Sequence, residues 1–212
     1  MTQEHDASPQ PVVHLLDDDA SMLRALSRLL TAAGYTVRAY ASASEFLART
    51  DHETRGCVIT DLRMPEVDGL QMQSSLARAA NPLPVIFLTG HGDVPTSVHA
   101  MRAGAEDFLT KPVQRPALLA AVERALARDA ADAAVRRRHA DLRSRWLTLT
   151  PREREVLQHI LTGQLNKQIA ADLGTTERTI KAHRGSIMAK MRVRSPAELG
   201  RVAHEAGLLG AS

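Results

Sequence analysis

Val58-Ile59-Thr60-Asp61-Leu62-Arg63-Met64-Pro65 is a short apolar run that ends on a carboxylate and then turns. A β-branched run of this length, bounded by Pro65 and Gly69, reads as a buried strand of an open α/β sheet. Asp61 then stands at the carboxyl end of that strand, the edge where doubly wound sheets bind ligands. A carboxylate there can cap a turn, ligate a metal, act as a base, or accept a phosphoryl group as an aspartyl phosphate.

The flanking sequence alternates strands and helices. Val12 to Leu16 is an apolar strand stopping on Asp17-Asp18-Asp19, and Ser21 is placed to begin a helix that Gly34 closes. Thr36 to Tyr40 reads as a second strand, and Ser42 with Glu45 has capping-box spacing before a short helix. After the Asp61 strand come a helix from about Gly69 to Ala80, a strand Val85 to Leu88 ending on Thr89, a helix Val94 to Ala103, and a strand Asp107 to Thr110 running into Lys111-Pro112. Five strands alternating with helices predict a parallel sheet with right-handed crossovers.

All the strand ends then share one edge, which gathers Asp17, Asp18, Asp61, Thr89 and Lys111 around one crevice. Carboxylates this close raise each other's pKa unless a cation joins them. Oxygen-only ligands favour Mg²⁺, which keeps waters and leaves room for substrate oxygens. Lys111 and Thr89 supply donors for phosphoryl oxygens that the metal leaves uncovered.

Composition bounds the other readings. A chain of 212 residues suits one α/β domain and a smaller partner. The single cysteine, Cys57, rules out an internal disulfide, and no Cys/His cluster has zinc spacing. No signal peptide or membrane-length apolar window is present, so the expectation is a cytoplasmic protein without a membrane partner. The net charge of +3 divides into −4 over residues 1–122 and +7 over residues 123–212, so the C-terminal half is the one to meet a polyanion.

Leu-Asp-Asp-Asp, Thr-Asp-Leu-Arg-Met-Pro, Leu-Thr-Gly-His-Gly-Asp-Val-Pro and Asp-Phe-Leu-Thr-Lys-Pro together resemble the receiver domain of two-component response regulators, over about residues 10–125. The resemblance is closest to the FixJ branch of the FixJ/NarL type. It implies a flavodoxin-like sheet in which Asp61 takes a phosphoryl group from a sensor histidine kinase, with Asp17, Asp18, Asp61 and the Arg63 backbone carbonyl holding Mg²⁺. Thr89 and Lys111 bind the acyl phosphate, Thr89 and Phe108 act as the switch pair, and the Lys111–Pro112 peptide is cis. Asp19 is a carboxylate beyond the usual pair. Among the histidines, His14 reads as a packed strand residue, His91 sits close enough to tune acyl-phosphate hydrolysis, and His99 lies on the fourth helix.

Beyond Pro116 the sequence turns Ala-rich and charged without Pro or Gly, so the last receiver helix continues as a helical linker over 126–146. A second domain over 147–212 opens at Thr150-Pro151-Arg152-Glu153, where Thr as N-cap, Pro at the first position and Glu three later mark a helix start. Four short helices follow. The third presents Ile180, Ile187 and Met191 inward and Lys181, Arg184 and Lys190 outward, and a Gly174-Thr175 turn precedes it.

Leu-Thr-Pro-Arg-Glu-Arg-Glu-Val-Leu, Asn-Lys-Gln-Ile-Ala and Thr-Ile-Lys-Ala-His-Arg resemble the LuxR-type helix-turn-helix. The resemblance implies double-stranded promoter DNA as partner. The helix from Glu177 to Met191 then enters the major groove with its Thr176 end near phosphate, Lys181, Ala182, His183 and Arg184 lie on it towards the DNA, and Lys167 and Thr179 touch phosphates. Gly185 departs from the bulkier residues of many relatives.

The expected architecture is a flexible N-terminus over 1–10, a five-stranded parallel doubly wound receiver over 11–125, a long linker helix, and a small all-α four-helix domain. The function read from it is phosphorylation-controlled DNA binding, with a homodimer when phosphorylated and RNA polymerase as a further partner. A receiver with a non-DNA output and a constitutive DNA binder are the alternatives.

Overall fold

A computed structural model describes residues 10–51, 54–79, 82–90 and 100–205. The Cα framework divides into two compact units, residues 1–133 and 134–212.

Among the described residues of the first unit, five parallel strands pair in the order β2-β1-β3-β4-β5. They are β1 (Val12–Leu16), β2 (Val37–Tyr40), β3 (Gly56–Asp61), β4 (Val85–Thr89) and β5 (Asp107–Thr110). Helices α1 (Ala20–Ala32), α2 (Ala43–Arg49) and α3 (Gly69–Ala77) lie between them. The expected helix over 94–103 falls largely outside the described residues, of which 100–102 are helical.

The central strands are buried along nearly their whole length and mostly apolar, because both faces of the sheet are covered. Leu16, Val58, Val85 and Phe87 face one side with Phe46 and Met72. Val13, Leu15, Ile59, Ile86 and Leu88 face the other, with Leu26 and Leu30 of α1 and Leu118 and Val122 of a helix α4 (Arg115–Leu147).

Three helix starts follow their side-chain caps. Asp19, not Ser21, is the N-cap of α1: its carboxylate accepts from the amides of Ser21 and Met22 at 2.7 and 3.4 Å. An Asp cap satisfies two orphan amides and suits the positive helix end, which is why it displaces serine. Ser42 accepts from Glu45 N at the start of α2, while Glu45 itself accepts from Ala41 N. Asp68 and Gln71 form a full capping box on α3, which ends at Ala77, short of the expected Ala80.

Gly56 is a position only glycine can hold. Its φ is +127°, and a Cβ would lie 1.8 Å from the carbonyl oxygen of Val12. Its amide donates to Asp129 of α4 at 3.1 Å, and the Arg55 guanidinium meets the same carboxylate oxygen at 2.8 Å. Asp129, which falls in the stretch expected to be a helical linker, is thus buried against the start of β3 at 1% exposure.

In the second unit the end of α4 packs with α5 (Pro151–Leu161), α6 (Asn166–Asp172), α7 (Glu177–Met191) and α8 (Pro196–Glu205). Leu142, Leu149, Val156, Leu157, Ile169, Ile180, Ile187, Met191 and Leu199 form the core. Thr150 and Glu153 make the expected reciprocal capping box, and Pro occupies the first position of α5. Arg138 pairs with Glu205 through two hydrogen bonds, tying α4 to the end of α8.

Candidate functional site

The strand order reverses direction between β1 and β3, and this switch point is where the acidic residues meet. β1 delivers Asp17 just past its last residue, and β3 ends on Asp61. Asp17, Asp18 and Asp61 each place a carboxylate oxygen within 4.8 Å of the others. That spacing fits three oxygens around one hard divalent cation, and the donor set is all carboxylate. Asp17 is buried, Asp61 half-buried and Asp18 exposed, so the cluster opens to solvent on one side. Asp19 stands apart because its carboxylate is taken up by the α1 cap.

Lys111 enters the same crevice from the end of β5. Its Nζ donates to Asp17 Oδ2 at 2.8 Å and to Asp61 Oδ2 at 2.7 Å. Burial pushes the ammonium pKa down, but its hydrogen bonds to both carboxylates outweigh this and hold the pKa above its ordinary value. The lysine is thus a permanent cation beside Asp61. Its backbone is set by a 2.6 Å bond from Lys111 N to the Thr89 carbonyl, and the Lys111–Pro112 peptide is cis.

The remaining crevice positions follow from the same edge. Thr89 is the last residue of β4 and is 5% exposed. Arg63 N donates to Asp61 Oδ1 at 3.2 Å, which keeps the Arg63 backbone beside the carboxylate. Gly69 allows α3 to start against Asp61: a Cβ there would lie 2.8 Å from the Asp61 carbonyl oxygen and 2.7 Å from the Phe87 ring. Phe108 is half-buried, with its ring centroid 6.2 Å from that of Phe87. His14 is a packed residue, bonded to the Tyr40 hydroxyl at 3.1 Å and edge-on to Phe46. His91 and His99 lie outside the described residues.

On the second unit, Lys167, Thr176, Thr179, Lys181 and Ala182 are exposed, and His183 and Arg184 are half-buried. Thr176 caps α7 by accepting from Thr179 N, and the two hydroxyls are 2.9 Å apart. Lys190 corrects its expected outward placement. Its Nζ is 2.6 Å from Glu153 Oε2, and Ser186 Oγ donates to Glu153 Oε1 at 2.6 Å. The capping-box signal identified Glu153 as a helix-start residue but carried no sign that it also anchors α7.

Comparison with known proteins joins the two sites. The response regulator receiver domain family matches residues 13–123, and the LuxR family of bacterial regulatory proteins matches residues 147–203. The chain is 43% identical to nodulation protein W of Bradyrhizobium diazoefficiens over 96% of its length and 89% of that protein's. It is 40% identical to the transcriptional regulatory protein FixJ of the same organism, over 93% of this chain and 96% of that one. Among solved structures, the response regulator StyR superposes with a TM-score of 0.84 at 41% identity, covering 93% of this chain and 100% of that one. With both family matches and relatives of this identity and coverage, the chain belongs to the response regulators of two-component systems, as a receiver joined to a LuxR-type DNA-binding domain.

Proposed function

We propose that Asp61 is the phosphoacceptor. A carboxylate oxygen of Asp61 attacks the phosphorus of a phosphohistidine on a sensor histidine kinase. The P–O bond forms as the P–N bond breaks, and the imidazole nitrogen keeps the bonding pair. The observation that carries this reading is the Lys111 ammonium held 2.7 Å from Asp61, where it can follow the new phosphoryl oxygens. Asp17, Asp18, Asp61 and the Arg63 carbonyl would hold Mg²⁺, whose chemistry when bound is to neutralise the oxygens of the transferring group. On this reading the receiver catalyses its own phosphorylation and dephosphorylation.

Thr89 then bonds a phosphoryl oxygen and draws inward, and Phe108 follows into the space beside Phe87. The outer face at β5 changes shape, and phosphorylated chains pair through it. A twofold pair sets two α7 helices on half-sites about one DNA turn, roughly 34 Å, apart. Joining two weak DNA contacts raises occupancy without a new base contact. Lys181, Ala182, His183 and Arg184 read or approach bases, while Lys167, Thr176 and Thr179 contact phosphates. The protein acts in the cytoplasm, with RNA polymerase as the final partner on the promoter. The domain division proposed is residues 11–125, 126–146 and 147–212.

Asp61→Asn tests the chemistry, because an amide is a poor nucleophile. The variant should take up no base-labile phosphoryl group from acetyl phosphate with Mg²⁺, and labelling at the normal rate would remove Asp61 as acceptor. Sedimentation with beryllofluoride tests pairing: an unchanged monomer-dimer equilibrium would sink the coupling to DNA.

A further inference from the structure

The carboxyl end of α7 is completed by a side chain from another helix. Arg192 closes α7 in the left-handed conformation, with φ +54°. The amides of Arg192 and Val193 turn back onto the carbonyls of Ala189 and Met188 at 3.1 and 3.0 Å. A capping turn of this kind leaves the last carbonyls of the helix to other donors. Arg145, near the end of α4, donates from Nη1 to the Met191 carbonyl at 3.1 Å.

The guanidinium is oriented before it reaches α7. Asp141, one turn earlier on α4, accepts from its Nε at 3.1 Å and from its Nη2 at 2.5 Å. Two of the three nitrogens are therefore held by the helix's own carboxylate, and the third points at the Met191 carbonyl. The site is sheltered, with the Arg145 side chain 22% exposed. A cation at a helix carboxyl end also meets the negative end of the macrodipole. Glu153 grips the same end of α7 through Ser186 and Lys190. The groove-facing residues proposed above, Lys181 to Arg184, precede these anchors in α7, so the anchors set the angle at which they are offered.

We propose that Arg145 is a positioning residue for DNA recognition, setting the tilt of α7 by holding the Met191 carbonyl against α4. The inference rests on the reading of α7 as the groove-binding helix. Ile187 and Met191 are fully buried in the core of the second unit, contacts that Arg145 does not supply, so its loss should alter the presentation of α7 more than the fold. A structural role alone would weaken all DNA binding in step with stability. A positioning role lowers the preference for a specific site over random DNA, and leaves the salt dependence unchanged because no phosphate contact is lost.

The test uses the full chain and two probes: a duplex selected from a random-sequence pool by the unsubstituted protein, and poly(dI-dC). Arg145→Met keeps an apolar stem and removes every donor, while Arg145→Lys restores one. Arg145→Met should bind the selected duplex about tenfold more weakly, the scale of one charge-assisted hydrogen bond, with poly(dI-dC) affinity nearly unchanged. Arg145→Lys should recover part of the preference, and Asp141→Asn should lose part of it. Equal losses on both probes, tracking a fall in the unfolding midpoint, would overturn the proposal in favour of a purely structural role. A salt slope reduced by roughly one would overturn it in favour of a direct phosphate contact. Lys181→Ala and Arg184→Ala separate the two layers of the argument. If neither changes binding to the selected duplex, the reading of α7 fails. If they do and Arg145→Met does not, the inference about Arg145 fails alone.

Discussion

Lys190 and Glu153 form an ion pair 2.6 Å long between α7 and α5, with the Glu153 side chain only 5% exposed. Burial pushes the Glu153 carboxyl up, but bonds from Lys190, Ser186 and Thr150 outweigh burial and hold its pKa at about 2. The unfolded chain binds that proton near 4.5, so the pair stabilises the second unit fully above that pH. As pH falls from 4.5 towards 2 the contribution, on the order of 3 kcal/mol, is lost. Trp146, the chain's one tryptophan, packs against this core and reports the transition by fluorescence. Lys190→Met should destabilise the unit by about 3 kcal/mol, because it leaves a buried carboxylate without its cation.

The receiver should respond to acid at a higher pH. Burial, aided by the charge of Arg38, lowers the His14 pKa from 6.5 to about 4, against the Arg55 backbone, which favours the protonated ring and raises it. The unfolded chain takes a proton at 6.5 that the folded chain refuses until about 4. Stability is therefore complete above 6.5 and declines as pH falls through that window. Both tyrosines lie in the receiver, so their near-ultraviolet dichroism in urea titrations measures the slope. His14→Phe, which keeps a ring beside Tyr40 and Phe46, should flatten it.

Lys111→Met removes the ammonium shared by Asp17 and Asp61. The variant should still label with acetyl phosphate, more slowly, because Asp61 and the acidic cluster remain. It should not gain DNA affinity on phosphorylation, since nothing then links the phosphoryl oxygens to β5. Labelling and gel shift on one sample check both halves, and a normal gain in DNA binding would count against a signalling role for Lys111.

Gly56→Ala combines a positive φ with an overlap of backbone atoms, as the added Cβ would sit 1.8 Å from the Val12 carbonyl oxygen. The strand cannot shift without breaking the Gly56–Asp129 bond. A loss of about 4 kcal/mol or more is expected, at the upper end of single substitutions. Thermal unfolding of the receiver measures it, and Gly34→Ala, where a Cβ meets nothing within 4 Å, is the milder comparison.

The sheet and its acidic crevice were legible because their signals are local. Apolar runs gave the strands, and the crevice members end β3 and β4 as Asp61 and Thr89 or directly follow β1 and β5 as Asp17 and Lys111. Asp19 shows the limit, since one carboxylate of three neighbours is claimed by a helix cap, and only backbone geometry tells which. Asp129, Arg138 and Arg145 were not legible. Their partners Gly56, Glu205 and Met191 are distant in sequence, and an alanine-rich charged helix looks solvated whichever of its charges are paired. Lys190 was read as outward for the same reason: helical periodicity gives a direction, not the neighbour waiting there.

The helix Arg115–Leu147 has a practical bearing on protein engineering. Regulators of this kind invite recombination, in which the input of one is grafted to the output of another. A junction at residue 125 would strip the receiver of Asp129 and strand Arg55, while a junction at 147 would deprive α7 of Arg145 and α8 of Arg138. A chimera meant to keep both parents intact should exchange partners between Asp129 and Arg138, within the helix itself and with its turn phase preserved.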